Sequence, residues 1–442
     1  MAFQLRRASA VFLACAVLAF GGVCGWAAGG TPDGDEPLDP AARAERYAAL
    51  FETVWLSVYQ RYVGAGVERV DWFAVRGVYK PRVTGARDDE EAYRYLEEMV
   101  ALLEDPLTFV RSPAEAAALR SPEEDASRYS GVGILLRQFP DGSAVVAGVF
   151  DRSPAARGGV RKGERIVAVD GEPAAGKSLD EVAGKIQGPV GSQVALTLAD
   201  PWGAERTVTL RRAEIQVRAE VVSERLPGGI GYLSIPHFNA GTAAQVLSHL
   251  RRLYRMNGLI IDLRGLDPGA SLTDFARIAG LFTEEDLGGI FLSGGVFPLR
   301  PDREWQGGTG AFGVPPPTRL DYWEKPIAII VDGSVARSQY AMALVTGLAG
   351  SGKAVVVGRG VEPSPLVATG QWVEELPGGG LLAIAASKLV SLTDGRVIDG
   401  LAVDVEVPLD ARYVEAWYRG SDLDVEAARE ALAARLGRGR AE

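Results

Sequence analysis

The sequence predicts an α/β multidomain protein with a helical N-terminal segment, a β-rich middle region and an α/β core. A chain of 442 residues, 47% of them apolar, is too long for one ordinary hydrophobic core and favours two or three domains. Beyond residue 214, predicted strands and helices alternate, which indicates a parallel sheet with right-handed connections. Almost entirely apolar runs in this region are typical of strands covered on both faces; they are LIIDL, IAIIV and AVVVG.

Residues 1–28 have the pattern of an export signal. Arg6 and Arg7 supply a positive flank, residues 8–23 are apolar and uncharged, and small residues follow. An uncleaved membrane anchor is the alternative, but the apolar run is short for a bilayer span of about 20 residues. Lipidation at Cys24 is a minor option, because the small residues that precede a lipoprotein cysteine are missing. We therefore expect an exported, periplasmic protein with this segment cleaved.

The cysteine count limits the chemistry of the mature chain. The sequence has two cysteines, and both lie in the predicted signal segment. A mature chain without cysteine has no disulfide, no thiol nucleophile and no cysteine metal site.

The region after the signal is predicted to be a linker followed by a small helical domain. Residues 29–40 are rich in Gly, Pro and Asp, as linkers are. Residues 41–125 form the helical N-terminal domain, because apolar residues recur at helical spacing early in this stretch. A second helix is predicted over 90–105, capped by Asp88 or Asp89.

Residues 127–213 are predicted to fold as short strands and turns. A strand, a PDG turn and a second strand cover 131–150, and a further strand runs into a turn before 173. Ser178 opens a short helix over 178–186, and a hairpin-like pair of strands completes the unit.

Residues 214–420 form the predicted α/β core, and residues 421–442 a C-terminal helix. In the core, an apolar strand over 327–331 precedes a helix from about Ser338 to Leu348. The C-terminal helix has a polar amphipathic composition.

Composition argues against several functional classes. The formal net charge of −10 disfavours a nucleic-acid binder. Two isolated histidines without paired carboxylates do not make a zinc site. The segment 347–353, GLAGSGK, lacks the spacing of a phosphate-binding loop and precedes a strand. We expect no metal and no cofactor.

The middle region resembles a PDZ domain of the circularly arranged kind found in bacterial proteases. Five pieces match in order and spacing: Tyr129–Ile134, Ser153–Ala156, Gly158–Glu164, Ile166–Gly171 and Gln187–Pro189. The resemblance implies that the unit binds peptides or protein C-termini.

The chemistry of the PDZ-like region supports a peptide groove. Glycines let backbone amides turn toward one point and form a nest for a carboxylate, and an edge strand accepts an extended peptide. Val182 and Ile186 of the short helix are predicted to line the opposite wall. The nest and edge are assigned to Gly131, Val132, Gly133 and Ile134. The alternative is that Gly131 and Gly133 serve only a tight turn.

The core resembles the catalytic domain of the C-terminal processing, or tail-specific, peptidases. The matching landmarks are Ile230–Ile235, Leu259–Arg264, Ala354–Gly358 and Asp394–Gly400. The resemblance implies a peptidase-like core of the ClpP/crotonase type and a Ser–Lys dyad, in which a neutral lysine takes the proton of the serine.

The dyad positions implied by this resemblance hold other residues. Aligning Ser338-Gln339 with the Ser-Glu that ends the family's serine motif puts Ala336 at the nucleophile. Aligning Gly358 and Val367 puts Ser364 at the lysine. The expected oxyanion region, Gly269, Ala270 and Arg337, is also altered, because Asp267-Pro268-Gly269-Ala270 replaces the family's Asn-Pro-Gly-Gly turn.

Other side chains remain alternatives for the missing groups. Ser338 or Ser334 would be the nucleophile if the register is shifted by two, although the ordinary role of Ser338 is a helix N-cap. The remaining bases are Lys353, Lys388, His237 and His249.

Two functions follow from the sequence. The first is a pseudopeptidase that binds peptides or C-termini as a scaffold or adaptor. The second is an active serine endopeptidase with a relocated nucleophile or base. Either is expected to contact membranes only through the export signal, and a homo-oligomer is compatible with both.

Overall fold

The computed structural model describes residues 39–119, 128–216, 220–267, 269, 271–303, 317–364, 366–367 and 369–438. The predicted signal segment and all but two residues of the predicted linker lie outside this part of the chain. Within it, the structure confirms the predicted α/β multidomain fold.

The first region is helical, with one short strand. Aspartates cap its long helices: Asp39 and Asp88 accept hydrogen bonds from first-turn amides, as N-caps do. The second predicted helix ends at Ala101, four residues early. The elements are α1 (Pro40–Arg61), α2 (Trp72–Thr84), α3 (Asp89–Ala101), β1 (Phe109–Arg111) and α4 (Pro113–Leu119).

The middle region is a six-stranded antiparallel unit with a separate two-stranded pair. Its main sheet has the order β3-β4-β5-β7-β8, with β6 beside β5, so β3 is an edge strand. Helix α6 begins with a capping box between Ser178 and Glu181. The elements are β2 (Arg128–Gly131), β3 (Ile134–Gln138), β4 (Ala144–Val149), α5 (Pro154–Arg157), β5 (Arg165–Val169), β6 (Glu172–Pro173), α6 (Leu179–Ile186), β7 (Gln193–Ala199), β8 (Glu205–Arg211) and β9 (Ala213–Gln216).

The core contains the predicted parallel sheet. Its order is β10-β11-β12-β15-β16-β19, with β11 to β19 parallel and β10 antiparallel at the edge. The elements up to the central strand and its helix are β10 (Val222–Leu226), β11 (Ile230–Ser234), α7 (Thr242–Leu253), β12 (Gly258–Asp262), α8 (Leu272–Gly280), β13 (Gly289–Leu292), β14 (Gly295–Pro298), β15 (Ile327–Val331) and α9 (Gln339–Gly350). The remaining elements are β16 (Ala354–Gly358), β17 (Thr369–Glu375), β18 (Leu381–Val390), β19 (Val405–Glu406), α10 (Ala411–Tyr418) and α11 (Leu423–Arg438).

Both faces of the parallel sheet are covered, which explains its apolar strands. Ile329 of β15 packs with the cluster that contains α7, α8 and α9, whereas Ile330 packs with α10 and α11. The C-terminal helix is therefore part of the core packing, with Ala428 and Leu432 completely buried.

A second, antiparallel sheet joins the N-terminal region to the core. Strand β1 pairs with β18, which also pairs with β13 and β17. Phe51 and Leu96 of the helical region share one hydrophobic cluster with Leu382 and Ile384 of β18. The helical region thus has no separate core, a feature that the sequence patterns did not predict.

The middle unit packs on helix α10. Phe139 contacts the rings of Tyr413 and Trp417, with centroid distances of 6.4 and 6.1 Å. Trp202 contacts Tyr418 edge to face at 5.5 Å. These aromatic contacts hold the unit with the groove strand β3 close to the carboxyl ends of the parallel strands.

Candidate functional site

The segment after β15 lies where the carboxyl ends of parallel strands meet, the usual place for a binding site in an α/β sheet. Asp332 caps a 3-10 turn, Gly333–Arg337, and Ser338 then opens α9. Ala336, the predicted nucleophile position, lies on this turn and is half-buried against the core cluster. Its methyl group offers neither a nucleophilic oxygen nor a hydrogen bond.

Asp332 connects this turn to the middle unit. One carboxylate oxygen pairs with Arg137 of β3. The other accepts bonds from the Ser334 amide at 3.0 Å and the Gly265 amide at 3.3 Å. Burial alone would raise the pKa of the Asp332 carboxyl, but Arg137 and Ser334 outweigh it and hold the pKa below its ordinary value.

The Ser334 hydroxyl is held by two short hydrogen bonds and lies 3.5 Å from a third polar atom, the Leu263 carbonyl. It donates to Asp332 at 2.5 Å and accepts from the Leu266 amide at 3.0 Å. A carboxylate with a lowered pKa is a weak proton acceptor at neutral pH, so Asp332 is poorly suited to activate this hydroxyl. The geometry fits a structural bridge between two loops.

Ser338 occupies the predicted N-cap of α9. Its hydroxyl oxygen accepts a bond from the Ala341 amide at 3.2 Å, and the residue is 2% exposed. An N-cap acceptor satisfies an otherwise unpaired helix amide, and this bond is structural.

Ser364, at the predicted lysine position, has a backbone role. Its amide donates to the Asp399 carbonyl at 2.8 Å, and its hydroxyl accepts from the Leu366 amide at 3.3 Å. A hydroxyl of this kind cannot replace a neutral amine as a base.

The two alternative lysines lie away from the Ala336 turn. Lys353 directly precedes β16, and five residues at about 3.3 Å each place it about 16 Å from Gly358 at the other end of that strand. Burial and the charge of Arg303 lower the pKa of Lys353. Lys388 alternates on β18 with Ser387, which contacts Gln339 beside the turn, so Lys388 faces the other side.

The two histidines occupy different places. His237 follows β11, and its Nδ1 lies 2.8 Å from the Thr242 hydroxyl. His249 of α7 has its Nδ1 2.7 Å from the hydroxyl of Ser223 on β10. This second pair lies at the antiparallel edge of the sheet, because β10 is three strand positions away from β15, the strand that precedes the Ala336 turn. Burial and Arg252 lower the pKa of His249.

Part of the predicted oxyanion region can be described. Gly269 has φ +60, and its amide lies 3.5 Å from the Asp267 carboxylate of its own loop. A Cβ at this glycine would come within 2.6 Å of the Phe238 backbone, so the loop packs tightly there. Arg337 is exposed at the end of the 3-10 turn, and Ala270 lies outside the described residues.

The predicted peptide-binding residues separate into two groups. Gly131 ends β2, Gly133 lies in the loop that follows, and Ile134 is the first residue of the edge strand β3. Val132, Val182 and Ile186 are only 1%, 1% and 4% exposed and belong to the core of the unit. The prediction that Val182 and Ile186 line an open pocket is wrong, because the inward face of α6 is already used to pack the unit.

A cavity of about 870 Å³ extends the groove beyond the carboxyl end of β3. Gln138, Arg165, Lys177 and Asp180 contribute charged or polar groups to its wall. It lies at the opposite end of β3 and α6 from the glycine loop, in the direction from which the upstream part of a bound peptide would come.

A buried charge cluster lies beneath α10 and α11. Arg264 contacts Asp424 at 2.8 Å and Asp422 at 2.9 Å, and Arg359 contacts Asp424 at 2.9 Å. Lys162 of the middle unit lies 3.8 Å from Asp422. Asp262 and Arg264, at the end of β12, form a structural ion pair at 2.6 Å.

The sequence analysis did not predict the residues of this charge cluster or of the Arg137–Asp332 pair. Arg137 gave no motif, because its partner Asp332 is 195 positions away. The acidic pair Asp422 and Asp424 at the start of a helix was the one local signal, and it is equally typical of an ordinary helix N-terminus.

Two further searches concern metals and membranes. In the described ranges, no group of three or more His, Cys, Asp or Glu side chains is arranged to hold a metal ion. None of the helices formed by those same residues has the length and apolar character needed to cross a bilayer.

Comparison with known families matches three regions of the chain. The PDZ domain model matches residues 145–200, the peptidase family S41 model residues 229–407, and the Tricorn protease C1 domain model residues 43–101. These regions correspond to the middle unit, the α/β core and the N-terminal helices.

Relatives with assigned names resemble the chain over most or half of its length. A carboxyl-terminal-processing protease of Picosynechococcus sp. is 26% identical over 365 residues, covering 80% of this chain and 81% of the relative. A chloroplastic C-terminal processing peptidase of Tetradesmus obliquus is 30% identical, covering 51% of this chain and 52% of the relative.

A solved structure has the same fold. The photosystem II D1 C-terminal processing protease matches with a TM-score of 0.54 and 24% identity, covering 83% of this chain and 97% of that one. At this identity the match concerns the fold.

Proposed function

Because this chain is a PDZ-containing member of the C-terminal processing peptidases of family S41, we propose that it is an exported, periplasmic pseudopeptidase. In this proposal the PDZ domain binds exposed C-terminal or extended peptide segments, and the core acts as a scaffold or adaptor. Peptide and protein substrates are what a PDZ domain joined to a peptidase domain implies.

The proposal depends on which side chains the turn after β15 presents and how they are hydrogen-bonded. A methyl group stands at the predicted nucleophile position, Ala336. The hydroxyls on either side, Ser334 and Ser338, accept structural bonds from backbone amides. Acyl transfer needs a nucleophile, a base that removes its proton and amides that stabilise the oxyanion. The described partners of the Ser334 hydroxyl are Asp332, the Leu266 amide and the Leu263 carbonyl, and none of these is a lysine amine.

The test of lost catalysis is prolonged incubation of the full chain with a disordered protein such as casein. We expect no cleavage above that of a heat-denatured sample, and the same result for Ser338→Ala and Ser334→Ala. Cleavage that disappears in either serine variant would overturn the pseudopeptidase proposal.

A gain-of-function variant tests the assignment of the dyad. Ala336→Ser combined with Ser364→Lys restores the two groups that the family resemblance implies, and we expect measurable cleavage of casein. Ala336→Ser combined with Ser364→Met is the matched control, because methionine has a similar length without an amine. Equal activity of both double variants would contradict the assignment of Ser364.

The second candidate is an active serine endopeptidase with a relocated nucleophile. One observation favours it: Ser338 lies at the N-terminus of α9, where the helix dipole stabilises negative charge. This candidate predicts covalent labelling by a fluorophosphonate and loss of labelling in Ser338→Ala. The pseudopeptidase predicts no labelling of the wild type.

The proposed location is tested separately. N-terminal sequencing of the protein from a periplasmic extract should find a chain that begins near residue 28. A full-length chain that remains with the membrane fraction would instead support the anchor.

A further inference from the structure

The peptide groove of the PDZ domain leads, at its upstream end, into the cavity of about 870 Å³. The cavity wall includes Gln138, the last residue of β3, and Leu179 and Asp180, the first two residues of α6. Strand β3 and helix α6 are the two sides of the groove, so a peptide that extends past the end of β3 enters the cavity. The cavity volume lies within the range of about 300–1,000 Å³ that is typical of ligand pockets.

The wall of this cavity has an apolar part and leaves space beside two glycines. Ile166 and Ala174 belong to the hydrophobic core of the domain and are 3% and 7% exposed. Gly142 and Gly176 have φ +82 and +77, and a Cβ at either position would meet no atom of the described residues within 4 Å. A ligand side chain therefore has room to lie with its aliphatic part against the apolar wall.

The two acidic side chains of the wall are stabilised within the domain. Asp141 Oδ1 accepts hydrogen bonds from the Ser143 amide at 2.9 Å and the Ser143 hydroxyl at 2.6 Å. These bonds outweigh burial and, with the charge of Arg165, hold the pKa of Asp141 below its ordinary value. Asp180 lies in the first turn of α6, where the helix dipole stabilises a negative charge. Neither carboxylate depends on a ligand for stabilisation of its charge.

The two cationic side chains of the wall differ in their partners. Lys177 donates a hydrogen bond to the Glu172 carboxylate at 3.0 Å. Arg165, the first residue of β5, is exposed, and its side chain forms neither a hydrogen bond nor an ion pair with any residue that the structure describes. A guanidinium group binds both oxygens of one carboxylate in a planar, charge-assisted pair. Arg165 is therefore the charged group of this wall that a ligand carboxylate would pair with.

We propose that this cavity is an upstream subsite of the peptide groove, in which Arg165 selects peptides that carry an acidic side chain. Strand β3 runs from Ile134 to Gln138. In antiparallel addition, a ligand residue opposite Gln138 therefore lies four positions upstream of the ligand residue opposite Ile134. The selected glutamate or aspartate is at this position or at the next one upstream, where the peptide enters the cavity. This inference rests on the proposed peptide binding and names its ligand class.

The test uses three fluorescein-labelled octapeptides, Ser-Ser-X-X-Ser-Val-Ser-Val, in which X is Glu, Gln or Lys. Binding to the full chain is followed by fluorescence anisotropy. We expect the wild type to bind the Glu peptide about fivefold more tightly than the Gln peptide, the size of an exposed charge pair, and less selectively at high salt. Arg165→Gln should bind the Glu and Gln peptides equally. Arg211→Gln, on β8 at the opposite edge of the sheet, is the matched control and should keep the preference.

Charge reversal gives a result that a misfolded domain cannot produce. Arg165→Glu should bind the Lys peptide more tightly than the Glu peptide, because the sign of the charge in the wall is inverted. Equal binding of the Glu and Gln peptides by the wild type, or a preference that persists in Arg165→Gln, would overturn the subsite and leave the proposed peptide binding intact. Binding of none of the three peptides would overturn the proposed peptide binding and this inference with it.

Discussion

Replacing Asp332 with alanine tests whether this carboxylate joins the PDZ domain to the turn that carries Ala336. The side chain of Asp332 is 5% exposed and that of Arg137 is 26% exposed. Removal of the carboxylate leaves Arg137, the Ser334 hydroxyl and two backbone amides without their shared acceptor.

The magnitude follows from the burial of this acceptor. Removing one partner of a fully buried ion pair costs about 3–5 kcal/mol, and the partial exposure of Arg137 places Asp332→Ala near the lower limit, about 3 kcal/mol. Asp332→Asn keeps an acceptor for the amides and should cost about 1–2 kcal/mol. Glu362→Ala, at an exposed carboxylate, is the control, with an expected change within about 0.5 kcal/mol.

The assay is urea unfolding followed by both tryptophan fluorescence and far-UV circular dichroism. If the two probes report coincident transitions, unfolding is two-state, and a free energy of unfolding can be derived for each variant. The free energies of unfolding of Asp332→Ala and Glu362→Ala are compared. A difference of less than about 1 kcal/mol, the scale of surface substitutions, would show that the Asp332 carboxylate does not stabilise the contact between the two domains.

The same carboxylate predicts a dependence on pH. Its pKa is lower in the folded protein than in the unfolded chain, so the folded state binds fewer protons. The stabilisation is complete above the ordinary carboxyl pKa of about 4 and is lost as the pH falls through the folded value. Asp332→Asn should therefore show a smaller loss of stability on acidification than the wild type; an identical pH profile would contradict this assignment.

Three further outcomes are expected. Asp424→Ala should lower the free energy of unfolding by about 3 kcal/mol, because Asp424 is completely buried against two arginines, whereas Glu426→Ala on the same helix should cost less than about 1 kcal/mol; equal urea midpoints would contradict this. Gly133→Ala should lower the melting temperature more than Gly142→Ala, since both glycines have φ near +82 but only the first has a neighbour within reach of a Cβ; equal losses would show that backbone strain alone decides. Asp422, whose pKa is lowered by Arg264 against the opposing effect of burial, should contribute stability above about pH 4 and lose it below, so Asp422→Asn should flatten the acid limb of a urea-midpoint series, and an unchanged limb would refute this.

The local features of the fold were predictable because short-range chemistry specifies them. The N-caps at Ser178 and Ser338 follow from a hydroxyl placed before an apolar helical repeat. The buried strand at 327–331 follows from its continuous apolar run. In these cases the residues that form the interaction are within a few positions of one another.

The antiparallel sheet around β18 was not predictable in the same way. Strand β1 has only three residues, too few for a period-two pattern, and its partner Ala383 lies far along the chain. The apolar face of the N-terminal helices identified a buried surface but not what covered it. The pairing of β1 with β18 depends on which apolar surface of β18 the other elements leave uncovered.

The candidate site also combines features that the sequence predicts with features that only the tertiary structure shows. Through the family resemblance, the sequence predicts that Ala336 and Ser364 stand at the two dyad positions. It left open whether Ser334 and Ser338 were free to react, because both have side chains that suit a nucleophile and a structural acceptor equally. Only the positions of the Leu266 and Ala341 amides show which bonds their hydroxyls form.

The sequence by itself predicted the strand-rich middle region, the parallel sheet of the core and, through the family resemblance, that Ala336 and Ser364 stand at the dyad positions, because these depend on residue identity and on periodicity along the chain. Tertiary structure alone decided that Arg137 reaches Asp332 and that Val182 is core rather than pocket. The physical reason is that burial and ion pairing depend on which distant surfaces come together, and the free energy of these contacts is not encoded in any short segment.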